Sequence, residues 1–248
     1  MIVTTQQEIT NFLYRGPLDF QVTLGDTSTP HEVEEADWPN VGIGQPQWWN
    51  VADVYRTEGK PLPAIISLLL SEADFFLVQF TCSFLPTRDP NTYVQRARFA
   101  VRLTSKNPEA PKPIAFDLHP LQVWEEVRRD VHIAISPSLK FKELVEIKAG
   151  EAALQIQHNQ LLPIVTAVGA LESNFSWDLQ AMKEMKTPPL LGVRCFHALV
   201  KRPHGAEGVH AKLDVVADVV TRRRIFQAAV HSANIRELSC LICTEICE

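Results

Sequence analysis

Residues Leu191–Val220 read LGVRCFHALVKRPHGAEGVHAKLDVVADVV. The second arm alternates strictly along its length, which is the pattern of a half-buried strand. The side chains expected to face the core are those of Ala211, Leu213, Val215, Ala217 and Val219. Between the arms, Pro203–Gly208 supplies a proline and two glycines, which suit a chain reversal. The stretch therefore predicts two long strands joined as an antiparallel hairpin.

The register of this hairpin follows if Arg202 pairs with Val209. The other pairs that this register predicts are Val200–Ala211, Ala198–Leu213, Phe196–Val215, Lys201–His210 and His197–Asp214. Cys195 is two residues from His197 and shares its face of the strand. The predicted hairpin therefore has one apolar face and one face that gathers reactive side chains.

Residues Asp74–Arg102 predict a second hairpin, with Pro86–Asn91 as its loop. The residues expected to face the core are Phe76, Val78, Phe80, Cys82 and Phe84 on the first strand and Tyr93, Gln95, Ala97, Phe99, Val101 and Leu103 on the return. The opposite face of the return strand carries Arg96, Arg98 and Arg102. One core face and one wet face are typical of antiparallel sandwiches.

The rest of the chain repeats turn signals at the spacing of a β-sandwich. The predicted strands are Asp19–Leu24, Pro113–Leu118, Val131–Ser136, Leu139–Lys148, Ala152–His158, Leu161–Ala170 and Ser173–Leu179. Helical spacing predicts short helices at Thr4–Tyr14 and Val123–Arg129 and a C-terminal helix within Thr221–Glu248. Pro61–Ser71 fits a buried strand or a core helix, and Gly25–Pro46 is expected to be a surface loop.

These elements predict a mainly β protein, antiparallel and sandwich-like, with short helical segments and a C-terminal helix. We expect a single β-rich domain over residues 1–248. A subdivision into an N-terminal half (1–110), a C-terminal β half (111–220) and a helical tail (221–248) stays open.

Composition narrows the class of function. The formal net charge of −5 argues against a protein that binds nucleic acid by neutralising phosphates. Met1–Thr10 lacks the basic and apolar regions of a signal peptide, and no apolar run reaches the ~18–20 residues of a membrane helix. Five cysteines, an odd number, do not suggest a disulfide framework. These features predict a cytoplasmic protein with free thiols.

Trp48 and Trp49 are adjacent on an expected loop, where they can stack on a ligand or a partner. We single them out as the candidate binding residues, although the simpler interpretation places one in the core and the other at its edge. The preceding acidic stretch, Glu32–Asp37, has carboxylates that attract a divalent cation. It lacks the ligand pattern of a calcium loop, so we expect a solvated loop.

Cys240, Cys243 and Cys247 fall on one stripe of the predicted C-terminal helix. Thiolates are soft ligands for zinc or an iron–sulfur cluster, so these residues are weak candidates for a metal site. No second cysteine pair accompanies them, and interleaved leucine and isoleucine favour packing as small hydrophobes. Lipidation or a disulfide to a partner also stays open, and we assign no metal or cofactor.

Cys195, His197 and Asp214 are the residue types of a nucleophile, a base and an orienting carboxylate. A mid-strand cysteine, however, has no free backbone N–H groups for an oxyanion hole, because those groups belong to the ladder. We interpret the three as weak catalytic candidates and His197–Asp214 as a cross-strand pair. The histidines His197, His204 and His210 lie too far apart in this register for one metal ion.

The leading hypothesis is therefore a non-enzymatic protein-binding or assembly module in a multi-component intracellular system. Its partner would be another protein, met through an edge strand, the Trp48–Trp49 segment or the tail. The amphipathic strands also permit a membrane-active β-pore former, although the water-facing arginines do not favour it. A thiol- or metal-dependent enzyme and a small-ligand binder are the remaining alternatives.

Overall fold

The computed structural model of the protein describes residues 11–21, 38–89, 91–125, 131–134, 164–181, 190–221, 224–231 and 239–243. Within these ranges the helices are α1 (Val51–Thr57) and α2 (Ala64–Leu69). The strands are β1 (Phe12–Pro17), β2 (Asp19–Gln21), β3 (Asn40–Gly44), β4 (Gln47–Asn50), β5 (Ala73–Phe84), β6 (Tyr93–Ser105), β7 (Ile114–His119), β8 (Gln122–Glu125), β9 (Val131–Ala134), β10 (Ile164–Val168), β11 (Asn174–Gln180), β12 (Gly192–Pro203), β13 (Val209–Thr221), β14 (Arg224–His231) and β15 (Ser239–Cys243).

The strands form two antiparallel sheets. Sheet A has six strands in the order β1-β3-β5-β12-β7, and β4 also pairs with β5. Sheet B has nine strands in the order β2-β14-β13-β6-β11-β10-β8-β9, and β15 also pairs with β13. The inner faces share one apolar cluster, in which Phe80 and Phe196 of sheet A meet Phe99 and Trp177 of sheet B. The prediction of a mainly antiparallel, sandwich-like β protein is confirmed.

Neither predicted hairpin forms, although all of their strands do. In Leu191–Val220, β12 pairs with β5 and β7 in sheet A, whereas β13 pairs with β6, β14 and β15 in sheet B. In Asp74–Arg102, β5 and β6 likewise belong to different sheets. Each stretch therefore arches across the sandwich. Alternation decides which face of a strand is buried, but it leaves the strand's hydrogen-bonding partner open.

The predicted pairing of His197 with Asp214 is therefore wrong. His197 lies opposite Gln79 on one side and His119 on the other. The partners of Asp214 are Ala100 and His231, in sheet B. The other predicted cross-strand pairs between the two arms fail for the same reason.

The predicted core faces are confirmed with one correction. The β13 set from Ala211 to Val219 and the β5 set from Phe76 to Phe84 are buried. Strand β6 has one extra residue opposite the Asp218–Val219 step of β13. Because of this bulge, Val94 is buried, whereas Tyr93 and Gln95, which were predicted to face the core, are half-buried.

Sheet A is covered on both faces, unlike the one-sided sheet that the sequence predicts. Its second face carries a smaller apolar cluster, in which Phe75 and Leu77 of β5 and Leu199 of β12 pack with α1 and α2. We call it the helix-side cluster. Helix α1 begins at the Asn50 cap, whose side-chain oxygen accepts hydrogen bonds from the backbone N–H groups of the first turn. The second layer explains why β5 is apolar at consecutive positions.

Several predicted helices and loops need correction. The predicted helices at Thr4–Tyr14, Val123–Arg129 and Thr221–Glu248 are wrong wherever the structure describes them, because β1, β8, β14 and β15 lie there. Strands β14 and β15 occupy the β13 edge and satisfy its backbone groups, an outcome that local spacing cannot reveal. Pro61–Ser71 contains α2, and the expected loop Gly25–Pro46 contains β3.

The other strand predictions are confirmed where they are described. Strands β2, β7, β9, β10 and β11 coincide with five of the predicted segments. Leu139–Lys148, Ala152–His158 and the acidic stretch Glu32–Asp37 lie outside the described residues. Both sheets mix strands from 1–110 and 111–220, since β5 pairs with β12 and β6 pairs with β13.

Candidate functional site

A row of polar side chains crosses the second face of sheet A. Because Phe196 and Ala198 of β12 belong to the sandwich core, the intervening His197 lies on the opposite side, with Leu199 of the helix-side cluster. Its cross-strand neighbours are Gln79 of β5 and His119 of β7. These three side chains form the row, which lies beside the apolar contacts beneath the helices.

The two histidines of this row are buried next to each other. Their ring centroids are 6.1 Å apart. The pKa of His197 is lowered to about 3, mainly by burial and to a smaller extent by the nearby His119. Burial also lowers the pKa of His119 to about 4. Within the described part of the chain, neither ring nitrogen of His197 has a hydrogen-bond partner, so the neutral ring is held in place by packing.

Cys195 shares this face with His197, as predicted. Burial raises the pKa of its thiol, and hydrogen bonds with Gln79 and Thr81 oppose that effect only in part. The thiol is consequently protonated at neutral pH, which is the opposite of the activation that a nucleophilic cysteine requires.

The structure does not bring Asp214 to this pair. Asp214 lies in sheet B, where its Oδ1 is 3.8 Å from Nδ1 of His231. Cys195 and His197 lie in sheet A, on the face turned away from sheet B. The three weak catalytic candidates are thus split between the outer faces of the two sheets, and no nucleophile–base–orienter arrangement forms.

Trp48 and Trp49 lie on β4, where the sequence predicts a loop. They pair with Val78 and Leu77 of β5 and point to opposite sides of sheet A. Trp48 packs on the sandwich core in edge contact with Phe76, and Trp49 packs on the helix-side cluster. Both side chains are half-buried. Their role in binding remains a prediction.

The C-terminal cysteines do not form the predicted helical stripe. Cys240 and Cys243 lie on strand β15, opposite Ala211 and Val209 of β13, and Cys247 is outside the described residues. In the part of the chain that the structure describes, no three histidine, cysteine or acidic side chains are grouped as metal ligands would be.

Helix α2 forms an apolar surface that the sequence pattern did not single out. Only Ile66 is buried in this helix, while Leu68 is 78% exposed and Ile65 is 38% exposed. We call these two exposed side chains the α2 surface. The available signal was the uncharged run Pro61–Ser71, which is unusual for a helix with so many outward positions.

None of the described helices is long and apolar enough to cross a bilayer. No family model matches the chain, and no curated protein matches it. A solved structure, the Clostridium perfringens NetB toxin in the membrane-inserted form, is similar at a TM-score of 0.31 and 8% identity. The similarity covers 71% of this chain and 82% of the toxin chain.

Proposed function

We propose that this protein is a non-enzymatic binding module that meets another protein through the α2 surface. The observation that carries the proposal is the exposure of Leu68 on a helix without a charged residue. Contiguous exposed apolar surface on a folded domain marks a candidate site for contact with another protein. Burying such a leucine contributes about 1.5–3 kcal/mol to association.

The layer beneath α2 supports this use. Ile66 packs in an apolar cluster with Val54 and Tyr55 of α1, and this packing holds helix α2 and its exposed side chains in position. Trp49 packs at the same cluster, which places one predicted binding residue in the same layer as the α2 surface. Cys82 and Cys195 form no disulfide in the described part of the chain, which suits the reducing cytoplasm as the setting.

The test uses Leu68→Lys, with Val168→Lys as its matched control. Val168 is also an exposed apolar residue, at 53%, but it lies on β10 of sheet B. A photo-cross-linking amino acid at position 68 or 168 in the native host, followed by mass spectrometry, identifies what contacts each position. We expect one reproducible protein adduct from position 68, and co-purification of that protein should survive Val168→Lys and fail with Leu68→Lys.

The proposal would be contradicted if position 68 gave no protein adduct. It would also be contradicted if Leu68→Lys still retained the partner. Circular dichroism of both variants checks that the fold is intact. Because Leu68 is largely exposed, its replacement should change the free energy of unfolding by less than about 0.5 kcal/mol.

A further inference from the structure

The outer face of sheet B contains a cavity of about 490 Å³. Its walls come from β6, β10, β11, β13 and β14, so five neighbouring strands contribute side chains. The cavity is far from the α2 surface in the fold, since α2 packs on sheet A. Charged and amide side chains dominate the outward positions, whereas sites for apolar ligands are lined mostly by hydrophobic and aromatic groups.

The charges in this cavity balance. Arg96 and Arg98 of β6 are matched by Asp178 of β11 and Asp218 of β13. Arg98 and Asp178 form a two-pronged pair, with Nε–Oδ1 at 2.6 Å and Nη2–Oδ2 at 2.8 Å. This pair fixes the centre of the cavity and leaves no net charge to attract a polyanion.

Arg96 and Asp218, unlike Arg98 and Asp178, do not form an ion pair with each other. They lie directly opposite each other in the β6–β13 register, and both line the cavity. Neither side chain forms an ion pair or a hydrogen bond with any other residue of the described chain. An arginine with only donors therefore lies opposite an aspartate with only acceptors, and both side chains line the cavity.

A group that fits between these two side chains must accept from Arg96 and donate to Asp218. A phosphate or a carboxylate is anionic at neutral pH and is repelled by Asp218, and an ammonium only donates and is repelled by Arg96. A hydroxyl does both, because it has one donor hydrogen and two acceptor lone pairs. The position between these two side chains therefore favours a neutral group that both donates and accepts, such as a hydroxyl.

The residues on either side of Arg96 and Asp218 can also both donate and accept hydrogen bonds, so the four side chains form a polar row across sheet B. Gln227 of β14 lies opposite Asp218, and Gln180 of β11 lies opposite Arg96. Both amides line the cavity, and each offers a donor and an acceptor. Four strands at about 4.8 Å spacing make the row about 14 Å long, which requires a ligand with several hydroxyls in line. We propose that this cavity binds a neutral, hydroxyl-rich ligand, a short oligosaccharide.

The experiment compares the full-length chain with Arg96→Ala and Asp218→Ala on an array of neutral glycans. Arg102→Ala is the matched control, because Arg102 is on the same strand and the same outward face but outside the cavity. We expect binding of at least one neutral glycan, confirmed by titration calorimetry with that glycan. The affinity should fall at least tenfold in both cavity variants and stay unchanged in Arg102→Ala.

Three results would overturn the assignment: binding to no neutral glycan, binding that both cavity variants retain, and stronger binding of citrate or inorganic phosphate than of any neutral glycan. Urea unfolding of each variant separates lost binding from lost folding. The result is independent of the protein-binding proposal, because none of these substitutions touches the α2 surface.

Discussion

His197 is a buried base, and protonation of its ring destabilises the folded state. Its pKa is lowered to about 3, mainly by burial, from an ordinary value of 6.5. Below pH 6.5 the unfolded chain takes up a proton that the folded chain accepts only near pH 3. Stability therefore falls as the pH drops through this window, by up to about 1.4 kcal/mol per pH unit. His119, with a pKa lowered to about 4, adds to the same effect.

Replacing His197 with leucine should reduce this acid sensitivity. Leucine fits the neighbouring apolar cluster, and the change also removes ring nitrogens that have no described hydrogen-bond partner. We expect His197→Leu to be at least as stable as the wild type at pH 7 and to lose less stability between pH 6.5 and 4. Urea titrations at several pH values measure the difference, with His119→Leu as the companion variant. Equal acid slopes in His197→Leu and the wild type would contradict the proposed cause.

At the scale of elements, two arginine–aspartate pairs join neighbouring strands in different surroundings. Arg202 of β12 and Asp74 of β5 are 2.6 Å apart in sheet A, with side chains 12% and 32% exposed. Arg98 and Asp178 are also 2.6 Å apart in sheet B, but their side chains are 60% and 37% exposed. The guanidinium of Arg202 also lies over the ring of Phe76, at 5.2 Å. Breaking the pair in sheet A should therefore lower the free energy of unfolding more than breaking the pair in sheet B.

Asp74→Asn should destabilise the protein more than Asp178→Asn. The first substitution leaves a nearly buried arginine without its carboxylate, at a cost of about 1–3 kcal/mol. The second breaks an exposed pair worth less than about 1 kcal/mol. The two urea midpoints provide the comparison, and each variant serves as the control for the other. A larger loss for Asp178→Asn would mean that exposure does not rank these pairs.

At the scale of the whole molecule, an aromatic group joins the two sheets. Phe196 of sheet A stacks on Trp177 of sheet B at 4.9 Å between ring centroids, and on Phe99 at 5.5 Å. All three side chains are fully buried. Because these contacts link the sheets, loss of one ring affects both layers.

Phe196→Ala should reduce the free energy of unfolding by about 3–5 kcal/mol, because it deletes buried contacts and leaves a cavity. Val168→Ala, at an exposed site, should cost less than about 1 kcal/mol. Hydrogen exchange followed by mass spectrometry tests the coupling, since β5 of sheet A and β6 of sheet B should lose protection together. Loss of protection in β5 alone would show that the sheets unfold as separate units.

Parts of the candidate sites were visible in the sequence. The outward positions of Arg96 and Arg98 and the shared face of Cys195 and His197 follow from alternation. The contact of His197 with His119 was not predictable, because it joins strands that are distant in sequence. Arg96 and Asp218 lie opposite each other only because β6 pairs with β13, a pairing that the sequence analysis did not predict.

What the sequence by itself determined is local. The period-two pattern of Ala211–Val219 decided that the segment is a strand and which of its faces is buried, because successive side chains on a strand point to opposite sides. The tertiary structure alone decided the partner of each strand. The five-residue connection between β12 and β13 serves an arch as well as a hairpin, so Leu191–Val220 contributes one strand to each sheet. Pairing with β13 also made strands of Arg224–His231, which follows β13 directly in sequence, and of Ser239–Cys243, because the open backbone edge of β13 binds extended chain.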